Sequence, residues 1–565
     1  RFMYWLPVRH GRRRLIKNFL TGIQRRVLRT ATAMTDDDFE IISEGKANIR
    51  FPKGNKVFYN EAQVVNRDIS IAVIKMFQER LHGEKENPRV KRRRLRQERF
   101  KTSSSTASSP SFTSSEIESE MKMDLPRRRS TSSEHEPLRI LEGLSASGLR
   151  SIRYFLEIPG VQRLIVNDLD ATAVESIREN IEFNGLPQAK VIPSHADVNE
   201  LMLRSKDSFD VIDIDPYGSA SLFLNPAVQS ISNGGLLCIT CTDMPVLCGK
   251  DPETCWARYG SMATRSPPFC HEMALRIVLG ALDRHANIHK RYIVPLMSLS
   301  INFYIRMFVR VFTSPKETKK SCVKSGLVYQ CLGCHSFALQ RMGKSQASGK
   351  GNLKFKPGTG PPVPPNCTIC GKTHQISGPV WLDNIQDPEF VKKVRDHVAE
   401  NRSSYASSDR LHGMLTAASE ELPDAPFFYS IPHLATTLHC TTPSYAQLRS
   451  AVIHAGYQVS QSHTSPKALK TNAPKEVIWD IMRCWVRDHP IKSPSESSPC
   501  HAILAQEPKL KADFSIIKGT DMSSKRTGIK KFVPNSEHWG PKSRAKSGGS
   551  SATKRERDSS STSAE

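Results

Sequence analysis

The chain has 565 residues, of which 38% are hydrophobic, and it carries 81 Lys and Arg against 56 Asp and Glu, a formal net charge of +25. This length argues against a single domain, and we expect two or three. The charge favours a polyanionic partner such as nucleic acid, because each neutralised phosphate releases counterions; basic tails that only solubilise the chain are the alternative. No apolar run approaches the roughly 18 residues that a membrane span needs, so we expect no membrane partner.

Residues 1–48 predict a basic, disordered leader. No acidic residue occurs before Asp36, while Arg recurs through RHGRRRLIKNFLTGIQRRVLRTATAM. This composition is typical of a mitochondrial presequence, with a basic nucleic-acid-binding arm as the alternative. Met34 offers a second start that would omit the leader. We therefore expect a mitochondrial pool of the protein and a nuclear or cytoplasmic one.

The next two segments differ sharply in composition. Residues 49–83 show helical apolar spacing after Asn66 and are the N-terminal part of a folded domain. Residues 84–137 are rich in Ser, Arg and Glu and contain VKRRRLRQERF and PRRRS, which predicts a disordered insert. Its basic clusters are interpreted as a nuclear address, an RNA contact or a solvated charge run.

Residues 138–320 predict an α/β domain of the Rossmann-like type. Strand patterns (LRILEGL, VQRLIVNDLD, AKVIPSHADV, FDVIDIDPYG) alternate with helical ones (SGLRSIRYFLEI, ATAVESIRENIEFNGL). Such alternation predicts a mostly parallel sheet covered by helices on both faces. The last two apolar runs, RYIVPLMSLSI and FYIRMFVRVF, suit a hairpin at the edge of that sheet.

Three smaller units follow the α/β domain. Residues 321–377 carry two C-x-x-C pairs, Cys331 with Cys334 and Cys367 with Cys370, separated by a Pro/Gly/Lys-rich loop. Four thiolates predict a structural Zn²⁺ site, with buried unliganded cysteines as the alternative. Residues 378–491 predict a smaller α+β domain, for which we expect RNA binding, and residues 492–565 a basic, disordered tail.

Two other motifs contain potential metal ligands. Cys238 and Cys241 also form a C-x-x-C pair, but they lie in a predicted strand, where positions three apart face opposite sides, and we interpret them as core. His271 and Glu272 resemble the start of a metalloprotease motif, but Leu275 occupies the position of the second histidine. We interpret this stretch as the opening of a helix.

An acidic residue follows each of three successive predicted strands: Asp168, Asp197 and Asp215. Ligands of doubly wound sheets bind beyond the carboxyl ends of the strands, where Asp168 would hold a ribose and Asp197 an adenine amino group. Solvated strand caps are the alternative for each acid taken singly. The glycines of a pyrophosphate cradle are missing, which favours S-adenosylmethionine over a dinucleotide.

The stretch after the fourth strand, Asp215-Pro216-Tyr217-Gly218, resembles the Asp/Asn-Pro-Pro-aromatic motif of methyltransferases that modify amino groups on bases. The Asp215 carboxylate and the Pro216 carbonyl can each accept a hydrogen of an exocyclic amine, which orients its lone pair toward a methyl donor. Tyr217 offers a face on which a flipped-out base can stack.

Over residues 49–490 the chain resembles the tRNA (guanine-N2)-dimethyltransferases, which methylate guanosine 26 of tRNA twice with S-adenosylmethionine. The matching stretches are VFYNEAQVVNRD, LEGLSASGLRSIR, VNDLD, DIDPYGS, the two C-x-x-C pairs and SHTSPKALKTNAP. The resemblance implies cofactor contacts and a target-amine site on residues listed here: Arg67, Arg150, Asp168, Asp197 and Val198 for the cofactor, and Asp215 and Pro216 for the amine. It also implies a tRNA partner, and we expect a monomer.

Several points stay open at this level. His463, Lys467, Lys470 and Lys475 are candidates for phosphate contacts, with a solvated surface as the alternative. A catalytically silent RNA-binding zinc protein, or a methyltransferase of amino groups in ribosomal RNA or DNA, would share most of these motifs.

Overall fold

The computed structural model describes residues 39–52, 59–86, 135–265, 267–348, 352–517, 528–535 and 540. Residues 1–38 of the expected leader and most of the expected insert therefore lie outside the described residues. Residues 39–48, which we assigned to the leader, instead begin a β-hairpin of β1 (Phe39–Glu44) and β2 (Ala47–Pro52). A 3-10 turn (Glu61–Gln63) and the long helix α1 (Val64–Glu86) follow, so the helix passes the expected boundary at residue 83.

A seven-stranded sheet forms the centre of the molecule. Its strands are β3 (Leu138–Glu142), β4 (Val161–Asp168), β5 (Val191–His195), β6 (Phe209–Ile214), β7 (Ile231–Cys241), β8 (Arg291–Ile301) and β9 (Tyr304–Thr313). They lie in the order β5-β4-β3-β6-β7-β9-β8. The first five are parallel, and β9 runs antiparallel to both of its neighbours. The predicted mostly parallel sheet with a hairpin at its edge is confirmed.

Helices cover both faces of this sheet, because its strands are apolar on both sides. All six residues of β6 are buried, as expected for a central parallel strand. The covering helices are α2 (Leu149–Glu157), α3 (Ala171–Phe183), α4 (Val198–Arg204), α5 (Ser221–Ser230), α6 (Met244–Leu247), α7 (Pro252–Tyr259) and α8 (Cys270–Ile288). Cys238 and Cys241 on β7 are fully buried, which confirms their interpretation as core.

A second group of elements surrounds the cysteine pairs. It comprises the short helices α9 (Pro315–Thr318) and α10 (Ser321–Lys324) and the strands β10 (Ser325–Cys331), β11 (Phe337–Arg341), β12 (Gly343–Ser348), β13 (Asn352–Pro357) and β14 (His374–Trp381). β10 lies between β11 and β14, and both pairings are antiparallel. The strands β12 and β13 form a separate hairpin.

The helices that follow β14 pack on the α/β domain, which the sequence did not predict. The elements are α11 (Pro388–Glu400), a 3-10 turn (Arg402–Ser404) and α12 (Ser408–Ser419). Phe390 and Leu411 belong to the same buried cluster as Ile69 of α1. Residues 388–419, which we assigned to the C-terminal domain, therefore pack on the core of the α/β domain.

The C-terminal unit is a three-stranded sheet with helices. Its elements are β15 (Tyr429–Ser430), α13 (Ile431–Leu438), α14 (Tyr445–His454), β16 (Val459–Ser462), β17 (Ser465–Thr471), α15 (Lys475–Asp488) and α16 (Pro499–Leu504). Ser444 caps α14 in a capping box with Gln447. α16 lies in the segment that we expected to be disordered from residue 492, and its Cys500 and Ile503 are fully buried.

A late segment of the chain returns to α12. Arg410 donates through Nη2 to the Val533 carbonyl at 2.9 Å. A Cβ placed on Gly413 would lie 2.0 Å from the Lys530 carbonyl oxygen, so only glycine permits this approach. Across the described part of the chain, no helix combines the length and apolar character needed to cross a membrane.

Candidate active site

The loops after β3, β4 and β5 meet at one edge of the sheet through a buried amide. Asn167 donates through Nδ2 to the carbonyls of Gly143 and Ala196, both at 3.0 Å. The Gly143 N–H in turn donates to the carbonyl of Asp213 on β6 at 3.0 Å. These contacts fix the relative positions of four strand ends. Asn167 was not among the predicted site residues, and its only signal in the sequence is its place directly before Asp168.

Asp168 and Asp197 both lie at this edge. Asp168 is half-buried, and its two carboxylate oxygens accept from the N–H groups of Ala146 (2.8 Å) and Asp170 (3.0 Å). Asp197 is exposed and caps α4 by accepting from the Asn199 N–H at 2.7 Å. The Ala196 N–H donates to the Asp168 carbonyl at 3.3 Å, so the two acids belong to neighbouring loops.

The turn after β3 runs close beneath these acids. A Cβ on Gly143 would lie 2.7 Å from Cγ2 of the buried Val198 side chain. Ala146 and Gly148 have positive φ angles of 49° and 79°, which fold the chain tightly before α2 begins. A residue larger than glycine at position 143 would collide with the Val198 side chain.

Asp215 follows β6 and is held by two side chains from different elements. Its side chain is 18% exposed, and its Oδ2 accepts from Nη2 of the buried Arg150. Asn66 of α1 also donates through Nδ2 to this oxygen at 3.4 Å, and it accepts from Nη1 of Arg150 at 3.0 Å. The structure thus brings Arg150 to Asp215, and it adds Asn66, which the sequence analysis did not single out.

Asp213 lies one layer deeper than Asp215. It is fully buried, and Arg306 of β9 binds both of its oxygens at 2.9 and 2.6 Å, while the Tyr154 hydroxyl donates to one of them. Burial alone would raise the pKa of Asp213, but the charges of Arg306 and Arg150 outweigh it and hold this pKa below its usual range. Asp213 therefore organises the floor under the site.

Glu142, at the end of β3, completes this buried layer. Its Oε2 accepts from the Ser151 hydroxyl at 2.5 Å, and its Oε1 lies 3.4 Å from Nε of Arg150. Burial raises the pKa of Glu142 to about 7, although Arg150 and the Ser151 hydrogen bond oppose the shift. The arrangement thus holds a carboxyl that changes charge near neutral pH.

The Asp215–Gly218 loop is fastened to the end of β7. The Gly218 N–H donates to Thr242 Oγ1 at 2.7 Å, and the Thr242 N–H donates to the Gly218 carbonyl at 2.8 Å. Gly218 has a φ angle of 91°, which favours glycine. Pro216 is buried, whereas Tyr217 is 65% exposed. The loop therefore presents an aromatic ring beside a carboxylate.

Arg67 lies close to this layer but is bound elsewhere. Its Nε and Nη2 donate to the two carboxylate oxygens of Glu44, at 2.6 and 2.5 Å. Arg153 also reaches Glu44, at 2.7 Å. The cofactor contact expected for Arg67 stays a prediction, and in the structure this residue joins α1 to the N-terminal hairpin.

The four cysteines of the two C-x-x-C pairs come together. Their sulfur atoms all lie within 4.8 Å of one another, and all four side chains are buried. Sγ of Cys331 is 3.2 Å from that of Cys370, and Sγ of Cys334 is 3.7 Å from that of Cys367. Disulfide sulfurs are about 2.0 Å apart, whereas tetrahedral Zn–S bonds of about 2.3 Å separate sulfurs by roughly 3.8 Å. The donor set fits Zn²⁺.

The four candidates for phosphate contacts divide into two groups. His463 is buried between Glu421 and the Ser300 N–H, and Lys470 is buried with its Nζ 2.8 Å from Glu272. Those two side chains point into the protein and not toward a phosphate. Lys467 is exposed and Lys475 half-buried, so these two remain candidates.

Comparisons with known proteins agree with this geometry. The family model described as N2,N2-dimethylguanosine tRNA methyltransferase matches residues 38–483. The tRNA (guanine(26)-N(2))-dimethyltransferase of Mus musculus is 47% identical over 534 residues, which covers 92% of this chain and 78% of that protein. The Saccharomyces cerevisiae protein of that name, designated mitochondrial, is 36% identical over 537 residues, 90% of this chain and 92% of its own.

A solved structure is similar over most of its length. It is the complex of Trm1 from Pyrococcus horikoshii with S-adenosyl-L-methionine, and it is 25% identical to this chain with a TM-score of 0.57. The match covers 78% of this chain and 98% of that one.

Proposed function

The chain belongs to the N2,N2-dimethylguanosine tRNA methyltransferase family, and from this premise we propose that its strand-end site methylates the N2 amine of guanosine 26 in tRNA. The observation that supports this assignment best is the Asp215–Gly218 loop. It combines a carboxylate held by Arg150, a rigid proline carbonyl and an exposed aromatic ring at one edge of the sheet. Such a set suits a planar base that carries an amino group.

The neighbouring strand ends suit an adenosine-containing cofactor. S-adenosylmethionine is the cofactor of this site, and it supplies a methyl group on a sulfonium that is already activated for transfer. Asp168 would hold the ribose hydroxyls, Asp197 and Val198 the adenine, and Arg150 and Arg67 the remaining polar end. The half-buried position of Asp168 and the tight turn after β3, where Gly143 packs against Val198, are the features that support this fit.

The residues at the target amine act mainly by orientation. The lone pair of the guanine N2 amine is delocalised into the ring, so the amine is a weak nucleophile. The Asp215 carboxylate and the Pro216 carbonyl each accept an N–H, and together they turn the lone pair toward the methyl donor. We also assign to Asp215 the proton that the amine releases. Tyr217 stacks on the base.

The remaining assignments concern the state and location of the protein. We propose a monomer, a mitochondrial pool and a nuclear or cytoplasmic pool. The composition of residues 1–48 and the mitochondrial designation of the yeast relative support the dual location. A structural Zn²⁺ at the four cysteines would join β10 to the loop before β14.

Methyl transfer to defined transcripts tests the proposed function. The full chain is incubated with methyl-labelled S-adenosylmethionine and an unmodified tRNA, and the RNA is digested to nucleosides. We expect the label in N2-methylguanosine and N2,N2-dimethylguanosine, and its loss when guanosine 26 is replaced by adenosine. Label in another nucleoside, or label that persists without guanosine 26, would overturn the assignment. A chain that binds tRNA but transfers no methyl group would favour the silent RNA-binding alternative.

A further inference from the structure

A second group of metal-ligating side chains lies apart from the four cysteines. Cys248, Cys270 and His271 each place one ligand atom within 4.8 Å of the other two. We propose that this Cys-Cys-His cluster binds a second Zn²⁺ ion, with two thiolates, one imidazole and a fourth position that is open to water. Two sulfurs and one nitrogen are a donor set that zinc prefers, and three protein ligands leave the fourth position free.

The fold brings these ligands together across 22 residues of sequence. Cys248 directly follows α6, and Cys270 and His271 form the first turn of α8. Next to Cys248, Gly249 has a φ angle of 85°, and a Cβ there would lie 1.9 Å from the Thr264 carbonyl oxygen. This approach, which only glycine allows, holds the two ends of the intervening loop close to each other.

One ring nitrogen of His271 has a hydrogen-bond partner on β8. Nδ1 lies 3.1 Å from the Ser300 hydroxyl, and we assign Nε2 as the metal ligand. Ligating histidines characteristically use the second ring nitrogen in this way, because the hydrogen bond fixes the tautomer and the ring plane. Ser300 is itself held by its N–H, which donates to His463 at 3.1 Å, and Glu421 holds His463 from the other side at 2.6 Å.

The Cys-Cys-His cluster is less enclosed than the four-cysteine site. All three cluster residues are half-buried, whereas the four cysteines of the other site are buried. We therefore expect the ion of the Cys-Cys-His cluster to exchange more readily than the ion of the four-cysteine site.

The cluster is connected to the loop that carries the target-amine residues through the segment between β7 and Cys248. The segment between β7 and Cys248 contains Thr242, which holds Gly218, and Asp243, which accepts from the Tyr259 hydroxyl at 3.0 Å. A bound ion would join this segment to α8 and stiffen one wall of the site. This consequence rests on the proposed function, whereas the metal site itself does not.

Metal analysis of the full chain, purified without chelators, tests the proposal. We expect two zinc ions per chain in the wild type and one in Cys270→Ser and in His271→Gln. The matched control Cys322→Ser changes a half-buried cysteine outside both clusters and should keep two. Cys370→Ser should keep one ion, the ion of the Cys-Cys-His cluster. In the wild type, a mild chelator should remove this ion before the ion of the four-cysteine site. These counts do not depend on methyl transfer, so the site and the proposed function can fail separately.

Two results would overturn the second site. The first is a wild type with one zinc ion per chain that Cys270→Ser retains and Cys370→Ser loses. The second is an intact mass two hydrogens lower, with a cross-linked peptide joining Cys248 to Cys270, which would identify a disulfide. His271→Gln guards against misfolding, because it keeps both thiols. In the Co²⁺-loaded protein, Cys270→Ser should weaken the thiolate-to-metal absorption. His271→Gln should change the ligand-field bands and leave the thiolate-to-metal absorption in place.

Discussion

Asp213 and Asp215 lie two residues apart at the end of β6, and they have different roles. Asp213 is fully buried between Arg306 and Tyr154, whereas Asp215 reaches the edge of the sheet beside an exposed tyrosine. Adjacent strand positions alternate between faces, and the chain leaves the strand after Ile214, which frees Asp215 from that alternation. The buried acid therefore supports the layer on which the accessible acid is placed.

Replacing Asp215 tests its assigned role. We expect Asp215→Ala to lower kcat for methyl transfer by at least about 100-fold, because an acceptor that orients the amine is lost. The Kd for tRNA should change less than about threefold, since one carboxylate adds little to a surface that binds phosphates. Single-turnover kinetics and a filter-binding assay measure the two quantities.

The matched control for this variant is Asp170→Asn. Asp170 is exposed and caps α3, and asparagine caps a helix as well as aspartate does. Its kcat should stay within about twofold of the wild type. Wild-type rates in Asp215→Ala would contradict the role of this acid.

Glu142 gives the stability of the protein a defined pH dependence. Its pKa is raised to about 7 in the folded protein, above the value of 4.5 for the unfolded chain. Between these values the folded state binds more protons, so the contribution of Glu142 to stability falls as the pH rises from 4.5 to about 7. In Glu142→Gln this contribution is absent.

Denaturant unfolding at half-unit pH steps measures this effect. The free energy of unfolding of the wild type, minus that of Glu142→Gln, should fall over this window and stay constant above it. A flat difference for Glu142→Gln would contradict the raised pKa of Glu142.

At the scale of elements, the four-cysteine site connects the small sheet to α15. Sγ of Cys334 lies 3.2 Å from the Ser336 hydroxyl, which accepts from Nε1 of Trp479 at 2.7 Å. We expect Cys370→Ser to lose the zinc ion of the four-cysteine site, to change the fluorescence of Trp479 and to lower Tm by more than about 5 °C, because structural zinc contributes several kcal/mol to folding.

Cys484→Ser is the control for this variant, because Cys484 is a half-buried cysteine on α15 itself. Its zinc content and Tm should match those of the wild type. If Cys370→Ser keeps the zinc content and the Tm of the wild type, the four cysteines are not a structural metal site.

The central sheet was predictable from sequence, and the packing of the later helices was not. Parallel strands such as β6 are marked by continuous apolar runs with turn residues after them, and these signals are local. The amphipathic pattern of α11 shows that one face is buried, but it does not identify the partner. That partner is α1, about 300 residues earlier, and Phe390 packs into the cluster of Ile69.

The same limit applies to the site. Asp168, Asp197 and Asp215 were found because they follow strands. Asn66 and Arg306 come from α1 and β9, and their contacts with the acids exist only in the folded chain. For the lysines, the sequence suggests too many contacts and not too few. Nothing in the sequence distinguishes Lys467 from Lys470, but the fold buries Lys470 and leaves Lys467 exposed.

At the scale of the whole molecule, the net charge of +25 predicts salt-dependent binding of tRNA. Lys467 and Lys470 offer a matched pair for this property. Lys467→Ala should weaken tRNA binding and reduce the slope of log Kd against log salt by about 1, the value for one phosphate contact. Lys470→Ala should instead destabilise the fold by about 3–5 kcal/mol, because it leaves Glu272 buried with one partner fewer.

Binding at several salt concentrations, together with thermal unfolding, separates these outcomes. A normal salt slope in Lys467→Ala would remove this residue from the RNA contact. A fully stable Lys470→Ala that binds tRNA with a reduced slope would contradict the burial of its ammonium group.

Residues 528–535 contact α12, and α12 packs on the core of the α/β domain. This late segment of the chain is therefore a structural part of that domain. The Gly540 carbonyl accepts from Nδ2 of Asn60 at 3.4 Å, so the chain reaches the start of α1 again. A protease cut or a premature stop codon after residue 517 would therefore remove a segment that packs on the methyltransferase core. A fusion protein that ends the chain at residue 517 would lose the same contacts. Expression plasmids should therefore encode the chain at least up to residue 540.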